Sequence, residues 1–324
     1  MLDLRNRRVL VTGATGFLGA NLVRRLLVLG ADVHGVARTN LNAWRLEGIL
    51  GEFVTHGADV ADQDAVSRVI NEVRPDIIFH LAAPRTSSTE DYWENVKTSV
   101  LGTASLLNAA DSLDYTRFVH LGSSLEYGPS TRPLRETQLL RPVTIRGATK
   151  AAATLLCLQR ARGGRRPVVV LRAFSVYGYW EDPGRLIPTA MRAALEGQDM
   201  ALTAPGFRRD LVFVDDVVEA MLLSLNAPNV HGQVINVGSG QQWSNEQVVD
   251  EVQSVSGRKI SLRVGAYPAR SSDTGFWVAD NRKARRLLGW TPRHSLREGL
   301  EKTFRWVASH PSLYLRPAVN AIGG

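Results

Sequence analysis

Length, composition and charge place this chain among ordinary globular proteins. It has 324 residues, of which 44% are hydrophobic and 22% charged, and its formal net charge is +8. These values exclude a disordered or collagen-like chain, and the length allows one large domain or two fused ones.

The cysteine count and the distribution of apolar residues indicate the cellular compartment of the protein. Cys157 is the single cysteine, which excludes an internal disulfide and a cysteine-based metal site. No apolar run approaches the roughly 18 residues of a membrane span. The N-terminus passes from Arg5, Arg7 and Arg8 into a strand without the apolar segment of a signal peptide. We therefore expect a cytoplasmic protein with no membrane partner.

The excess of basic residues does not have the pattern of a nucleic-acid surface. The arginines are scattered, and neither an aromatic-interleaved basic stripe nor a zinc-ligand spacing accompanies them. No nucleic-acid partner is predicted, and the positive charge instead favours anionic nucleotides. The histidines form no HxxxH or HExxH set, so we expect no metal site.

The first half of the chain alternates short apolar strands with amphipathic helices. Helices are predicted after the first strand, over 62–73, over 91–110 and around Lys150. Strands are predicted over 8–12, 32–37, 52–56, 76–81, 117–122 and 167–171. Apolar strands separated by helices indicate an α/β fold with a doubly wound parallel (Rossmann) sheet.

The regular alternation stops near residue 174, where glycine, proline and aromatic residues cluster over 177–184. Further strands are predicted over 210–214 and 233–237, and capping boxes start two helices at Ser244 and Ser295. We therefore predict a dinucleotide-binding domain over 1–174 and a smaller, partly interleaved substrate-binding lobe over 175–324. Ligands of such sheets bind at the carboxyl edge, between the lobes.

A glycine motif links the first strand to the first helix. In that context a GxxGxxG pattern predicts a dinucleotide site, because the glycines allow a tight turn, close approach to a pyrophosphate and close helix packing. The helix N-terminus offers free N–H groups to the phosphates. The predicted cofactor-binding residues of this loop are Gly13, Thr15, Gly16, Phe17, Leu18 and Gly19.

The second strand ends without the acidic residue that usually binds the ribose 2′-hydroxyl of NAD. Arg38 lies there instead and could pair with a 2′-phosphate, which favours NADP(H) over NAD(H). Asp59 and the following Val60, after the third strand, are expected at the adenine.

Six ordered motifs resemble the extended short-chain dehydrogenase/reductases, in the nucleotide-sugar epimerase, dehydratase and 4-ketoreductase group. They are TGATGFLG at 12–19, HLAA at 80–83, SSLEYG at 123–128, VYG at 176–178, RRDLVFVDD at 208–216 and LGW at 288–290. The resemblance implies a nucleotide-linked sugar as substrate and a homodimer formed through two long helices. It also places Leu81, Ala82 and Ala83 beside the nicotinamide ribose.

The group's chemistry uses a Ser/Thr, a Tyr and a Lys, the last two spaced YxxxK. The resemblance assigns Ser123 to the Ser/Thr position and Lys150 to the lysine, which also contacts the nicotinamide ribose. The tyrosine position holds Arg146, which stays protonated and cannot shuttle a proton.

Three explanations of Arg146 remain open at this point. In the first, the enzyme stays redox-active and another group moves the proton, with Tyr179 as the candidate. In the second, the chain is a catalytically degenerate protein that binds nucleotide and sugar. In the third, Arg146 grips a carboxylate or phosphate of the substrate.

The reaction within the group is narrowed by the residues after Ser123. Dehydratases of the group have an acid pair there, whereas this chain has Ser124 and Leu125. Dehydration is therefore disfavoured. A 4-ketoreductase of a deoxysugar pathway is predicted, because GSSLEYGP resembles those enzymes, the second strand lacks an acid, and epimerisation depends more on the proton shuttle that Arg146 cannot provide. The alternative is a 4-epimerase using bound NAD. Related proteins also reduce non-sugar ketones, but Arg209 favours a diphosphate-bearing substrate. The predicted substrate-binding residues are Ser123, Ser124, Ser175, Arg209 and Arg270.

Overall fold

A computed structural model describes residues 3–38, 43–84, 91–163, 166–270 and 272–314. Its strands are β1 (Arg8–Thr12), β2 (Asp32–Ala37), β3 (Val54–Gly57), β4 (Ile77–His80), β5 (Arg117–Ser123), β6 (Val168–Ala173), β7 (Ser175–Tyr177), β8 (Met200–Leu202), β9 (Arg208–Arg209), β10 (Leu211–Phe213), β11 (Val234–Val237), β12 (Trp243–Ser244) and β13 (Leu262–Val264).

Helices of the described chain cover both faces of the sheet and form much of the C-terminal lobe. They are α1 (Phe17–Val28), α2 (Gln63–Val73), α3 (Tyr92–Asn95), α4 (Gly102–Ala110), α5 (Ile145–Gly163), α6 (Leu186–Glu196), α7 (Val214–Leu223), α8 (Asn245–Ser256), α9 (Arg282–Leu288), α10 (Leu296–Ser309) and α11 (Pro311–Tyr314). Short 3₁₀ turns occur at Trp44–Leu46 and Ser124–Glu126.

Seven strands pair in parallel in the order β11-β6-β5-β4-β1-β2-β3, so the predicted doubly wound Rossmann sheet is confirmed. The strands are apolar on both faces because separate hydrophobic clusters cover each side of the sheet. Since all strands run the same way, the ends of β1, β4, β5 and β6 meet at one carboxyl edge.

The C-terminal region is tied into this sheet. β11 pairs with β6, whereas β10 pairs with β7 in a separate two-stranded sheet beside the carboxyl edge. The segment predicted as a strand over 210–214 thus lies outside the main sheet. Both predicted capping boxes are present, at Ser244 with Gln247 and at Ser295 with Glu298.

The helix predicted over 91–110 departs from regular α-helix in the middle. Its first turn, α3, is capped by the Asp91 side chain, and a π-helical segment at Val96–Leu101 joins it to α4. Such segments add one residue to a turn and shift the helix face that follows. Within the described ranges, no helix is both long and apolar enough to cross a membrane.

Candidate functional site

The glycine loop, residues 13–19, forms a cradle that requires glycine at two positions, because a Cβ atom there would clash with the backbone. Gly13 has φ +72°, and a Cβ there would lie 2.9 Å from the Ala82 Cα atom. A Cβ on Gly19 would lie 2.0 Å from the Gly13 oxygen. Gly16 is the N-cap of α1, so the first-turn N–H groups face outward from the loop. These features fit a pyrophosphate. Thr15, Phe17 and Leu18 are partly buried around this loop.

Buried hydrogen bonds hold the segment after β4 against the cradle. The Thr12 hydroxyl contacts His80 Nδ1 at 2.7 Å and accepts from the Ala82 N–H at 3.3 Å, and His80 Nε2 contacts the Thr103 hydroxyl at 2.9 Å. Burial lowers the pKa of His80 to about 3, so its ring is neutral. Leu81 and Ala82 are buried here, and Ala83 is partly exposed beside the cradle.

Arg38 does not present a free guanidinium to a 2′-phosphate. Its Nη1 atom donates to Glu94 Oε1 at 2.8 Å, a residue brought from α3. A carboxylate therefore does lie at the end of β2, although it comes from a distant part of the sequence. This pair removes the basis on which NADP(H) was preferred. Asp59 is exposed and accepts from the Ala61 N–H at 2.9 Å, while Val60 is buried.

Ser123 lies at the end of β5, where a buried ion pair fixes its backbone. Its N–H donates to Glu126 Oε1 at 2.8 Å, and its hydroxyl oxygen accepts from the Leu125 N–H at 3.2 Å. Arg172 Nε donates to Glu126 Oε2 at 2.8 Å, with the two side chains 3% and 0% exposed. Burial raises the pKa of Glu126 and the Arg172 charge opposes this. Glu126 thus positions Ser123 and is not free to act as an acid on a ligand.

Lys150 reaches the same strand end from α5. Its Nζ atom donates to the Leu121 oxygen at 2.9 Å, and the residue is 4% exposed. Burial, and next the nearby Arg146 charge, lower the pKa of Lys150 to about 8, while Glu126 opposes the shift. A substantial fraction of this amine is therefore neutral just above neutral pH.

Arg146 is partly buried one turn before Lys150. Its guanidinium makes no hydrogen bond or ion pair within the described parts of the chain. Burial lowers the pKa of Arg146, and the Arg185 charge adds to the effect. Arg185 is the N-cap of α6 and was not expected from the sequence as part of the site.

Tyr179 is not brought into the group formed by Ser123 and Lys150. Its ring packs against Phe213 and Trp306, at centroid distances of 5.4 and 6.1 Å. Burial, and next the Asp215 charge, raise its pKa to about 12, which makes the phenol a weaker acid. The prediction that Tyr179 supplies the proton is therefore not supported by its placement.

The two other tyrosines near the motifs are also committed to structural contacts. The Tyr127 hydroxyl donates to Asn236 Oδ1 at 2.6 Å, and that of Tyr177 donates to the Leu296 oxygen at 3.2 Å. Both are buried, as expected for packing residues. Neither phenol is free to move a proton on a ligand.

Ser124, Arg209 and Arg270 converge with Trp277, which no sequence motif indicated. Arg209 Nη2 pairs with Asp273 Oδ1 at 2.7 Å, and the backbone N–H of Arg270 donates to Asp273 Oδ2 at 2.8 Å. Trp277 Nε1 donates to the Ser124 hydroxyl at 3.1 Å, with the Arg209 guanidinium 5.4 Å from its ring. Arg209 is thus already paired with a carboxylate, and the exposed Arg270 guanidinium donates to the Tyr267 hydroxyl at 2.8 Å.

Asp210 holds this group of residues to the sheet edge. Its buried carboxylate accepts from the N–H groups of Ser239, Gly240 and Ala279. Burial raises its pKa to about 6. Its backbone oxygen accepts from the Ser175 N–H at 3.0 Å, so the predicted Ser175 lies beside Arg209. Across the described residues, no cluster of His, Cys, Asp and Glu has the composition of a metal site.

Comparison with known proteins identifies a family and similar enzymes. The sequence model of the NAD dependent epimerase/dehydratase family matches residues 9–238. The UDP-glucose 4-epimerase of Mycolicibacterium smegmatis is 32% identical over 312 residues, covering 91% of this chain and 97% of that protein.

Two solved structures are similar over nearly the whole chain. The UDP-glucuronic acid 4-epimerase of Bacillus cereus, in complex with UDP-glucuronic acid and NAD, has a TM-score of 0.84 at 26% identity and covers 93% of this chain and 99% of that one. MoeE5, in complex with UDP-glucuronic acid and NAD, has a TM-score of 0.82 at 32% identity, with coverage of 93% and 99%.

Proposed function

Because this chain belongs to the NAD-dependent epimerase/dehydratase family of nucleotide-sugar enzymes, we propose that it is a nucleotide-sugar 4-epimerase. The observation that carries the proposal is the convergence of Ser123 and Lys150 at one strand end. Lys150 bonds to Leu121, two residues before Ser123, and the glycine cradle follows β1, two strands along the same sheet. The 4-epimerase relatives favour this reaction over the 4-ketoreductase, and the Arg38–Glu94 pair weakens the argument for an NADPH-using reductase.

The proposed chemistry is shared between the cofactor and two side chains. When bound, NAD supplies reversible hydride transfer at the sugar carbon. Ser123 donates a hydrogen bond to the reacting sugar oxygen. Lys150, in its neutral form, takes the proton of the sugar hydroxyl and gives it back when the ketone is reduced. This role passes from the missing tyrosine to the lysine because Arg146 helps to lower the pKa of Lys150 towards neutrality.

Activity on defined sugars tests this proposal. The NAD-loaded protein is incubated with UDP-glucose and with UDP-glucuronic acid, and C4 epimers are resolved by NMR. We expect turnover to rise with pH through about 8 and Lys150→Met to abolish it. The matched control is Lys259→Met, which makes the same substitution at an exposed lysine. Turnover that survives Lys150→Met would refute the lysine's role, and no turnover at any pH would favour the non-catalytic alternative.

We propose NAD rather than NADP as the cofactor, on the basis of the Arg38–Glu94 pair. The Glu94 carboxylate can accept from a ribose 2′-hydroxyl, whereas a 2′-phosphate would meet a like charge and compete for Arg38. Titration of the apoprotein with both dinucleotides should show preference for NAD. Glu94→Gln should strengthen NADP binding by about tenfold, while Glu72→Gln, on an exposed helix face, should not. An unchanged ratio of the two affinities would contradict this assignment.

We further propose a homodimer through the helical segment 92–110 and α5. These helices pack together and expose Trp93 at 67%, Leu101 at 48% and Leu155 at 61%. Large apolar side chains exposed on adjacent helices are typical of an interface. Sedimentation should give a dimer that Leu155→Glu dissociates, and a monomeric parent protein would rule the interface out.

A further inference from the structure

Arg146 is a partly buried cation without a counter-charge among the described residues. Within the described parts of the chain its guanidinium has no carboxylate partner, and its charged neighbours Lys150 and Arg185 are both cations. Arg185 itself approaches one carboxylate, Glu181, with Nε and Oε1 3.6 Å apart. Burying like charges without a counter-charge is unfavourable, so an anion from outside would stabilise this arrangement.

The fold fixes which part of a ligand Arg146 meets. The start of α5 packs closely against the 3₁₀ turn after Ser123. A Cβ on Gly147 would lie only 2.4 Å from the Leu125 oxygen. Arg146 lies one helical turn before Lys150 on the same side of α5, and its charge helps to lower the pKa of that lysine. Arg209 differs from Arg146 in having a carboxylate partner, since its Nη2 atom lies 2.7 Å from Asp273 Oδ1.

We propose that Arg146 and Arg185 form a subsite for a carboxylate carried by the sugar ring, so that nucleotide-linked uronic acids are preferred over neutral nucleotide sugars. This inference rests on the proposed function and names its substrate class. A carboxylate on the carbon next to C4 is the anionic group that lies close to the reacting oxygen held by Ser123. The planar guanidinium fork matches a carboxylate with two parallel hydrogen bonds.

The preference for an acidic sugar arises because a neutral sugar leaves the Arg146 guanidinium without a counter-charge. A hydroxymethyl group in the place of the carboxylate cannot neutralise Arg146, and the guanidinium loses water without gaining an equivalent partner. A charge-assisted contact of this kind corresponds to a preference of about 10- to 100-fold in dissociation constant. Arg185 contributes the smaller share, because it is 43% exposed and already lies 3.6 Å from Glu181.

Calorimetric titration of the NAD-loaded, full-length protein compares UDP-glucuronic acid with UDP-glucose. The variants are Arg146→Gln, Arg146→Lys and Arg185→Gln, with Arg141→Gln as the control that removes an exposed positive charge just before α5. Retained NAD in each variant shows that the fold is intact. We expect tighter binding of the acidic sugar by about 10- to 100-fold, loss of that preference in Arg146→Gln, partial loss in Arg146→Lys and Arg185→Gln, and no change in the control.

Each other outcome has a distinct meaning. Equal binding of the two sugars, or a preference that persists in Arg146→Gln, overturns the carboxylate subsite and leaves the epimerase proposal standing. Binding of neither sugar by the NAD-loaded protein overturns both the subsite and the proposed function.

Discussion

Replacing Glu126 with glutamine tests how strongly the site depends on one buried charge. The Glu126 side chain is 0% exposed and pairs with Arg172, which is 3% exposed, at 2.8 Å. Glutamine retains an oxygen for the Ser123 N–H but removes the charge that Arg172 needs. Breaking a buried pair by removing one partner costs about 3–5 kcal/mol, because the other charge stays buried without compensation. We expect the free energy of unfolding to fall by about that amount.

Urea unfolding followed by circular dichroism measures this loss. The comparison includes Glu126→Leu combined with Arg172→Met, since replacing both charges with apolar groups of similar volume is often neutral. We expect the double variant to be more stable than Glu126→Gln alone. A loss below about 1 kcal/mol for Glu126→Gln, or a double variant less stable than the single one, would refute the reasoning.

Three further predictions concern pH, the cofactor cradle and the lysine. Burial raises the pKa of Glu181 from 4.5 to about 7, so the folded chain holds this proton more tightly than the unfolded chain. The free energy of unfolding should therefore fall by about 3 kcal/mol as pH rises from 4.5 to 7. Urea unfolding of Glu181→Gln should lack that decline. Gly19→Ala should abolish NAD binding in a titration, because its Cβ would lie 2.0 Å from a loop oxygen, whereas Gly51→Ala meets nothing within 4 Å and should bind normally. Arg146→Gln should move the pH of half-maximal kcat upward from about 8, since the arginine lowers the pKa of Lys150; an unmoved profile would contradict the lysine's role.

The sheet and the cofactor cradle could be predicted from the sequence because their signals are local. Buried parallel strands appear as short apolar runs, and the three glycines occur at fixed spacing between a strand and a helix. The spacing of Arg146 and Lys150 likewise predicts an arginine where the resemblance implies a tyrosine. In each of these cases neighbouring residues carry the whole pattern.

Contacts between distant segments could not be predicted in this way. Glu94 follows Arg38 by 56 residues, and Trp277 follows Ser124 by 153, so no local pattern joins either pair. Tyr179 is the converse case: it directly follows a motif, yet its ring packs against Phe213 and Trp306. Side-chain direction after an irregular turn depends on packing that the sequence alone does not display.

The position of β11 also has a consequence for how the chain is synthesised. β6 ends at Ala173 and its neighbour β11 starts at Val234, about 60 residues later. At a translation rate of 5–20 residues per second, β6 emerges roughly 3–12 s before its partner. During that interval its outer edge exposes unpaired N–H and C=O groups, which can pair with other nascent chains. Substitutions that weaken the docking of β11 should therefore lower the yield of folded protein more than the activity of the molecules that do fold.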